Sequence, residues 1–283
     1  MKPGGASSKS GSPVWWRVIN GTMKNLSSNR VSFNAAAAAF YLLLAVIPGF
    51  AGIVIIYGFI ADPDHVEAVI DMAENAVPKE VILVLENEIE RLANARISGW
   101  AVVLGIGLAL WCGSNATGAL VTGLNVAHSS RERRPWYRKI LVSLILALSG
   151  LLFCVAVVAL LAVVPIILGF AGIADYTSSL IATLRWPALV LVMMLWLSIL
   201  YRWAPDDKRA KWRLVSWGSF VSSLLWVGGS ALFTIYVSVF GRYSAVYGSL
   251  GAVVVTMFWL YFSAFVALLG EELNMEIARV RKS

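Results

Sequence analysis

The stretch YGSLGAVVVTMFWLYFSAFVALLG, residues 247–270, contains no Asp, Glu, Lys or Arg and decides the fold. As an α-helix rising about 1.5 Å per residue, it is long enough to cross the ~30 Å hydrocarbon core of a bilayer. The short polar tail EELNMEIARVRKS follows it directly. We therefore predict a transmembrane helix over residues 247–270.

Five more apolar segments of similar length precede this one. Hydrophobic residues make up 59% of the chain, mean hydropathy is +0.76, and charged residues are only 14%. Globular domains average about 25% charged residues, so this composition excludes a soluble enzyme. We predict an all-α polytopic membrane protein with six transmembrane helices, at residues 32–60, 100–124, 140–167, 184–203, 214–240 and 247–270.

Basic residues cluster on alternate sides of these six spans. They are concentrated in residues 1–30, 131–139, 202–213 and 279–282. Cytoplasmic loops of membrane proteins carry the excess of Lys and Arg, so this alternation places both termini in the cytoplasm. It also accounts for the net charge of +7, which in a soluble chain would suggest a nucleic-acid partner. We predict no nucleic-acid partner and an inner-membrane location.

The loop between the first two spans has a different character from the rest of the chain. Residues 62–98 carry an acidic surplus, and Val81, Leu85, Ile89 and Leu92 recur at helical spacing. We predict a periplasmic amphipathic helical layer here. The predicted organisation is therefore a cytoplasmic tail at 1–30, a membrane domain at 31–276 containing this insertion, and a basic cytoplasmic tail at 277–283.

The sequence lacks the motifs that are typical of catalytic sites. A metal-dependent nuclease needs clustered His, Asp or Cys ligands, but the two histidines, His65 and His128, fall on opposite sides of the predicted membrane. Both are interpreted as ordinary interfacial residues. Nucleophilic triads and phosphate-binding Gly motifs are also absent from the sequence. We predict no enzyme activity, no metal and no cofactor.

Several strings resemble one known family. They are NAAAAAFYLLLAVIP at 34–48, LWCGSNATGALVTGLNVAHSSRERRPWYRKI at 110–140, LYRWAPDD at 200–207, and the segment from SSLLWVGG at 222 to LGEELN at 274. They resemble the YihY family of envelope proteins, also called virulence factor BrkB. The resemblance covers nearly all of residues 30–276.

The resemblance implies an inner-membrane protein that supports envelope integrity and moves a lipid or another amphiphile. An older label for the family, a tRNA-processing ribonuclease, conflicts with the residues present. Two departures stand out: SWGSF at 216–220 replaces a frequent Pro-Gly-Ala, and GEELN at 270–274 replaces Gly-Ala-Glu-Leu-Asn. Any role carried over to Glu272 is therefore shared with Glu271.

Polar residues gather at the predicted cytoplasmic ends of the fourth and sixth spans. Arg202 and Asp206 follow the fourth span, and Glu271, Glu272 and Asn274 follow the sixth. A cation and several carboxylates at one depth would form a headgroup site or a polar gate. The alternative is that these charges face water and only snorkel from helix ends.

Three other residues are candidates for substrate binding. Asn115 is one of the polar residues predicted to lie within the membrane, where interhelical hydrogen bonding is the competing use. Arg242 and Tyr247 flank the predicted outer turn, where they would meet a lipid phosphate, although tyrosine also belongs at an interface for other reasons.

The function predicted from the sequence is transport-like or integrity-supporting, with membrane lipids as partners and a lipid or amphiphile as substrate. A structural scaffold without transport is the main alternative, and a membrane-bound ribonuclease is the third. Intramembrane polar residues that line a cavity would favour transport, a bundle packed shut by Gly, Ala and Leu would favour a scaffold, and a nuclease would require clustered metal ligands.

Overall fold

The computed structural model describes residues 13–60, 99–158, 160, 174–207, 215–240 and 244–282. Within these ranges the chain is helical, with no strand. The helices, numbered in chain order, are α1 Val14–Ser28, α2 Val31–Ile60, α3 Gly99–Ala127, α4 Trp136–Val158, α5 Ala174–Trp203, α6 Trp217–Phe240 and α7 Ser244–Val280. The predicted all-α polytopic fold is confirmed. The amphipathic layer predicted at 62–98 and the residue Arg242 lie outside the described ranges.

Five of these helices are long and apolar enough to cross a membrane by length and composition. These segments are Val103–Ala127, Trp136–Val157, Leu184–Trp203, Trp217–Val237 and Val253–Val280. The pair α1 and α2 gives a sixth if its two parts count as one span, bent by 60°. The helical range of α2 continues through Pro48, and α7 continues past the predicted domain boundary at 276. The domain limits themselves stay predictions.

The bend between α1 and α2 has a local backbone cause. Asn29 ends α1, and Arg30 adopts a φ of 51°, in the left-handed region that non-glycine residues rarely enter. The next residue, Val31, starts α2. The chain therefore changes direction within one residue, so that α1 can run along the end of the bundle.

Helices α2 and α3 pack closely through small side chains. Ala35, Ala38 and Ala39 are completely buried, as is Ala116 on α3. Small residues let two helix backbones approach, which is the usual way that helices associate in lipid. The buried alanines therefore form a helix contact. Helix α7 packs against α1, α2, α3 and α6 and so lies centrally in the bundle.

The basic end of the bundle, as we call it, is the end where α3, α5 and α7 finish and α4 and α6 begin. Buried side chains of the described residues concentrate near it, for example Leu124, Leu200 and Leu268. Toward the opposite, far end, no described side chain is buried in 100–111, 147–157, 184–188, 227–237 or 253–259. Among the described residues, burial is thus highest at the basic end and falls toward the far end.

Glycine surroundings show the same gradient. A Cβ placed on Gly218 would overlap the Gly270 carbonyl oxygen, so α6 and α7 touch backbone to backbone at the basic end. A Cβ on Gly105, near the far end of α3, would meet no atom within 4 Å. Gly105 lies seven and eleven positions before the buried Cys112 and Ala116, which puts it on the same face of α3. A side chain at Gly105 would therefore enter open space on this face of α3.

Candidate functional site

The end of α3 is shaped by a left-handed residue. Ser129 has a φ of 53°, and the Ser130 N–H donates to the Asn125 carbonyl at 2.9 Å. This bond pattern terminates the helix in the manner of a Schellman motif, with Ser in the position that glycine usually takes. The turn leaves Asn125 and His128 on the inner side of the basic end.

His128 lies between two carboxylates. Its Nε2 is 2.7 Å from Glu271 Oε1 on α7, and its Nδ1 is 3.4 Å from Asp207 Oδ2 after α5. The side chains of His128 and Glu271 are only 6% and 7% exposed. Burial lowers the pKa of His128, but hydrogen bonds with Glu271 and Asp207 and their charges outweigh it and hold that pKa above its ordinary value. The arrangement therefore favours a buried imidazolium that joins α3, α5 and α7.

Asn274 extends this contact from α7 to the start of α6. Its side-chain amide donates to Glu271 Oε2 at 2.8 Å and to Ser216 Oγ at 3.0 Å, while its Oδ1 accepts from the Gly218 N–H at 2.8 Å. Asn274 thus accepts a hydrogen bond from an N–H in the first turn of α6 and donates one to the second carboxylate oxygen of Glu271. The close approach of the Gly218 and Gly270 backbones makes these short bonds feasible.

Arg134 and Asn125 hold the segment that follows α5. The Arg134 guanidinium donates to the carbonyls of Pro205 and Ala204 at 2.6 and 3.1 Å and lies 3.5 Å from Asp206 Oδ1. The Asp206 N–H donates to Asn125 Oδ1 at 2.7 Å. A planar cation is well suited to terminal helix carbonyls, which carry the negative end of the helix dipole. The loop after α3 therefore closes the end of α5.

Glu272 leaves α7 on a different face from Glu271. One oxygen, Oε1, accepts from Asn29 Nδ2 at 2.6 Å, at the junction of α1 and α2. One turn later, Glu276 Oε2 accepts from Asn25 Nδ2 at 3.0 Å. The two consecutive glutamates therefore connect α7 to opposite sides of the bundle, Glu271 to α3 and α5 and Glu272 to α1.

The predicted site residues divide into two groups. Asp206, Glu271 and Asn274 are brought into one polar network at the basic end, which we call the basic-end network, together with His128, Asn125, Glu132 and Arg134. Arg202 does not join it, and the described part of the chain shows no hydrogen bond or ion pair for this side chain. Glu272 lies on the α1 side.

The other candidates are far from this network. Asn115 lies within the span of α3 and donates to the Trp111 carbonyl of its own helix at 2.7 Å. Tyr247 lies in the first turns of α7, away from the basic end. Their proposed contact with substrate stays a prediction.

His128 was predicted to be an ordinary interfacial residue, and its two carboxylate partners, Glu271 and Asp207, were not predicted from the sequence. The stretch HSSRERR at 128–134 could have indicated this site. Membrane topology explains its three arginines, but it does not explain the histidine and the glutamate among them. Among the described residues, no group of three His, Cys, Asp or Glu side chains is arranged to hold a metal ion. What the network offers chemically is ionic and hydrogen-bonded closure of one end of the bundle.

Comparisons with known proteins agree with this architecture. The family model described as virulence factor BrkB matches residues 22–283. A protein of Bacillus subtilis (strain 168) named putative ribonuclease-like protein YfkH is 31% identical over 253 residues, covering 88% of this chain and 90% of that protein.

Two UPF0761 membrane proteins match over shorter stretches. YihY of Salmonella typhimurium (strain LT2) is 28% identical over 125 residues, 40% of this chain and 43% of that protein. IL2447 of Idiomarina loihiensis is 24% identical over 103 residues, 36% of each chain. The matched part is therefore less than half the length of these two relatives. No solved structure matches this chain.

Proposed function

This chain belongs to the virulence factor BrkB family of membrane proteins, and from that premise we propose that it supports the cell envelope by moving a lipid or another amphiphile across the inner membrane. The observation that carries the proposal is the packing gradient. The described helices are tightly packed at the basic end and lack buried side chains toward the far end. Burial that is concentrated at one end among the described residues is what we expect of a carrier in one of its two states.

The basic-end network serves as the closed gate in this proposal. His128, Glu271 and Asn274 join helices that would have to separate for a path to open there. Such bonds have discrete partners, so they break and re-form as a unit rather than stretch continuously. Arg202 remains a proposed contact for an anionic headgroup, because it lies beside the exposed Trp203 at the same end. Arg242 and Tyr247 are proposed to act similarly at the other surface.

A purely structural scaffold is the second candidate. Helices in lipid associate through close van der Waals packing, so a scaffold gains stability from contact along its full length. In the described far halves of α3, α4, α5, α6 and α7 no side chain is buried, and the contacts there are between partly exposed groups, such as Phe153 with Trp196 and Gly229 with Phe262. This feature favours the transport proposal over the scaffold.

A ribonuclease is the third candidate, and it comes from the printed name of YfkH. The residue best placed for acid–base chemistry is His128, which stands between two carboxylates. Its side chain is only 6% exposed, so a polynucleotide has no access to either ring nitrogen. We propose that this chain is not an enzyme and that its basic loops face the cytoplasm without a nucleic-acid partner.

The orientation that this proposal needs has a direct test. Both termini and the basic end are proposed to be cytoplasmic, on the basis of the Lys and Arg alternation. Cysteines at Ser130 and Ala210 should then be protected from a membrane-impermeant thiol reagent in intact cells, and a cysteine at Asn87 should be labelled. Labelling of the first two would overturn the orientation.

Lipid movement is tested with the purified protein in vesicles of phosphatidylethanolamine and phosphatidylglycerol that contain a trace of fluorescent phosphatidylglycerol. Dithionite outside the vesicles bleaches only the outer leaflet, so bleaching beyond that fraction reports translocation. Gly105→Phe should slow translocation by filling the loose inward face of α3. Gly107→Phe is the matched control, because Gly107 also meets no atom within 4 Å but points about 200° away from Gly105.

Three outcomes are informative. Translocation by the wild-type protein that Gly105→Phe slows and Gly107→Phe leaves unchanged supports the proposal. Equal rates in all three proteins would show that lipid does not pass along this face. If phosphatidylglycerol crosses no faster with the wild-type protein than in protein-free vesicles, the result would contradict transport of this lipid and favour the scaffold.

A further inference from the structure

Glu272 is a buried carboxyl group with an unused oxygen. The residue is only 1% exposed, although it lies within a turn of the end of the apolar part of α7. Its Oε1 accepts the hydrogen bond from Asn29 at 2.6 Å. Its Oε2 is buried and has no hydrogen-bond partner in the described part of the chain. An ionised carboxylate has several acceptor positions to fill, and this site fills only one of them.

The charges around Glu272 do not compensate a negative charge there. On its own helix, the charged groups that act on it are the carboxylates of Glu271 and Glu276 and the guanidinium of Arg279. That guanidinium is already paired with Glu276 at 3.2 Å. From the α1 side, the partner is the neutral amide of Asn29. A carboxylate in this position would be a buried charge without a cation, which proteins avoid by neutralising the group.

Glu272 contacts the end of α1 through Asn29. Asn29 and Arg30 join α1 to α2 at the bend, and Asn29 is the residue that Glu272 contacts. Gly21 of α1 packs directly on the side chain of Glu276, which also accepts a hydrogen bond from Asn25. Two carboxyl groups therefore hold α1 against α7, and within the described part of the chain the ion pair with Arg279 belongs to Glu276.

We propose that Glu272 is a proton-binding site whose protonation holds α1 against α7. In the closed form the carbonyl oxygen Oε1 accepts from Asn29, and the hydroxyl oxygen Oε2 carries the proton. When Oε2 releases the proton to water, the resulting carboxylate faces Glu271 and Glu276 and requires hydration. Water reaches Oε2 only if α1 moves away from α7. The use of this step to couple lipid movement to a proton rests on the proposed function, whereas the proton site itself does not.

Proton binding is tested by infrared difference spectroscopy of the full chain in phosphatidylethanolamine and phosphatidylglycerol vesicles. A protonated carboxyl group gives a carbonyl band that persists at about pH 7, where ordinary Asp and Glu side chains are ionised. We expect Glu272→Gln to remove this band and Glu276→Gln to leave it. Glu272→Asp, which keeps a carboxyl group, should shift the band and serves if the Gln variant does not fold.

Movement of α1 is tested by spin labels at Met23→Cys and Arg281→Cys, in a background without Cys112 and Cys154. Raising the pH should lengthen the distance between the labels in the otherwise wild-type chain, and Glu272→Gln should abolish that change. A band unaffected by Glu272→Gln, or a label distance independent of pH, would overturn the proposal. Neither measurement involves a transported lipid, so their failure is separate from failure of the translocation assay.

Discussion

Replacing His128 with leucine should destabilise the bundle by about 3 to 5 kcal/mol, the usual cost of leaving a buried charge without its partner. The side chains of His128 and Glu271 are 6% and 7% exposed, and their nearest atoms are 2.7 Å apart. Leucine supplies neither charge nor hydrogen bond, so the Glu271 carboxylate keeps its burial and loses its cation. Among the described residues, the neutral amide of Asn274 then remains as the hydrogen-bond partner of Glu271.

The magnitude follows from the local dielectric. Unit charges about 4 Å apart attract each other by about 4 kcal/mol at an effective dielectric constant of about 20. In the wild type, the cost of burying His128 and Glu271 offsets much of this attraction. In His128→Leu the attraction is gone, but the cost of burying the Glu271 carboxylate remains. Changing His128 and Glu271 to leucine together removes both charges. The double variant should therefore lose less stability than the sum of the single variants, by about 1 to 3 kcal/mol.

The pH dependence has a definite sign. The pKa of His128 is held above its ordinary value by Glu271 and Asp207 despite burial, so folding favours the protonated form. The stability that protonated His128 contributes is fully present below about pH 6.5, the pKa expected for this residue in the unfolded chain. It is lost as the pH rises through the higher pKa of the folded protein. The deficit of His128→Leu relative to wild type should therefore be larger at about pH 6 than at about pH 9.

The assay is reversible unfolding in mixed detergent micelles by increasing dodecyl sulfate, followed by far-UV circular dichroism at both pH values. The free energy of unfolding is measured for the wild type, the two single variants and the double variant, which together form a double-mutant cycle. Additive effects of the two substitutions, or a His128→Leu deficit that is the same at both pH values, would refute the account of a buried ion pair.

The glycine contact and the arginine cap lead to further predictions. Gly218→Ala should destabilise the protein by about 1 to 3 kcal/mol because its Cβ meets the backbone of α7, whereas Gly105→Ala should be neutral or slightly stabilising; the same unfolding assay checks both. Arg134→Ala should cost about 2 kcal/mol by freeing the carbonyls at the end of α5, and Arg202→Ala should change stability by less than about 0.5 kcal/mol. Equal effects of the two arginine variants would contradict the assignment of Arg134 as the cap.

The fold was largely predictable because lipid leaves one physical signal, the long apolar segment, that needs no tertiary information. The fourth span, predicted at 184–203, agrees with the apolar segment Leu184–Trp203, although the helix α5 itself begins at Ala174, because a helix can continue beyond the apolar part of its sequence. Hydropathy reports where the membrane is, not where a helix ends.

The site was only partly predictable because depth in the membrane does not determine direction around a helix. Consecutive helical residues point about 100° apart, so Glu271 and Glu272 share a depth but contact different helices. The same rotation places Tyr201 in the core and Arg202 away from the basic-end network. His128 and Arg134 were missed because their directions depend on the left-handed residue Ser129, which no periodicity reveals.

In the proposed transport cycle, the contact between Gly218 and Gly270 would act as a fulcrum. The backbones of α6 and α7 meet there, so a change in the bonds around this point would alter the angle between the two helices. From Gly270 to the first residue of α7, Ser244, the helix forms a lever arm of ~39 Å at 1.5 Å per residue. A rotation of ~10° at the fulcrum would sweep the end of that arm through ~7 Å, about the width of one lipid chain together with its contacts. In the proposed transport cycle, rearrangement of the bonds around Asn274 would therefore widen or close the far half of the bundle.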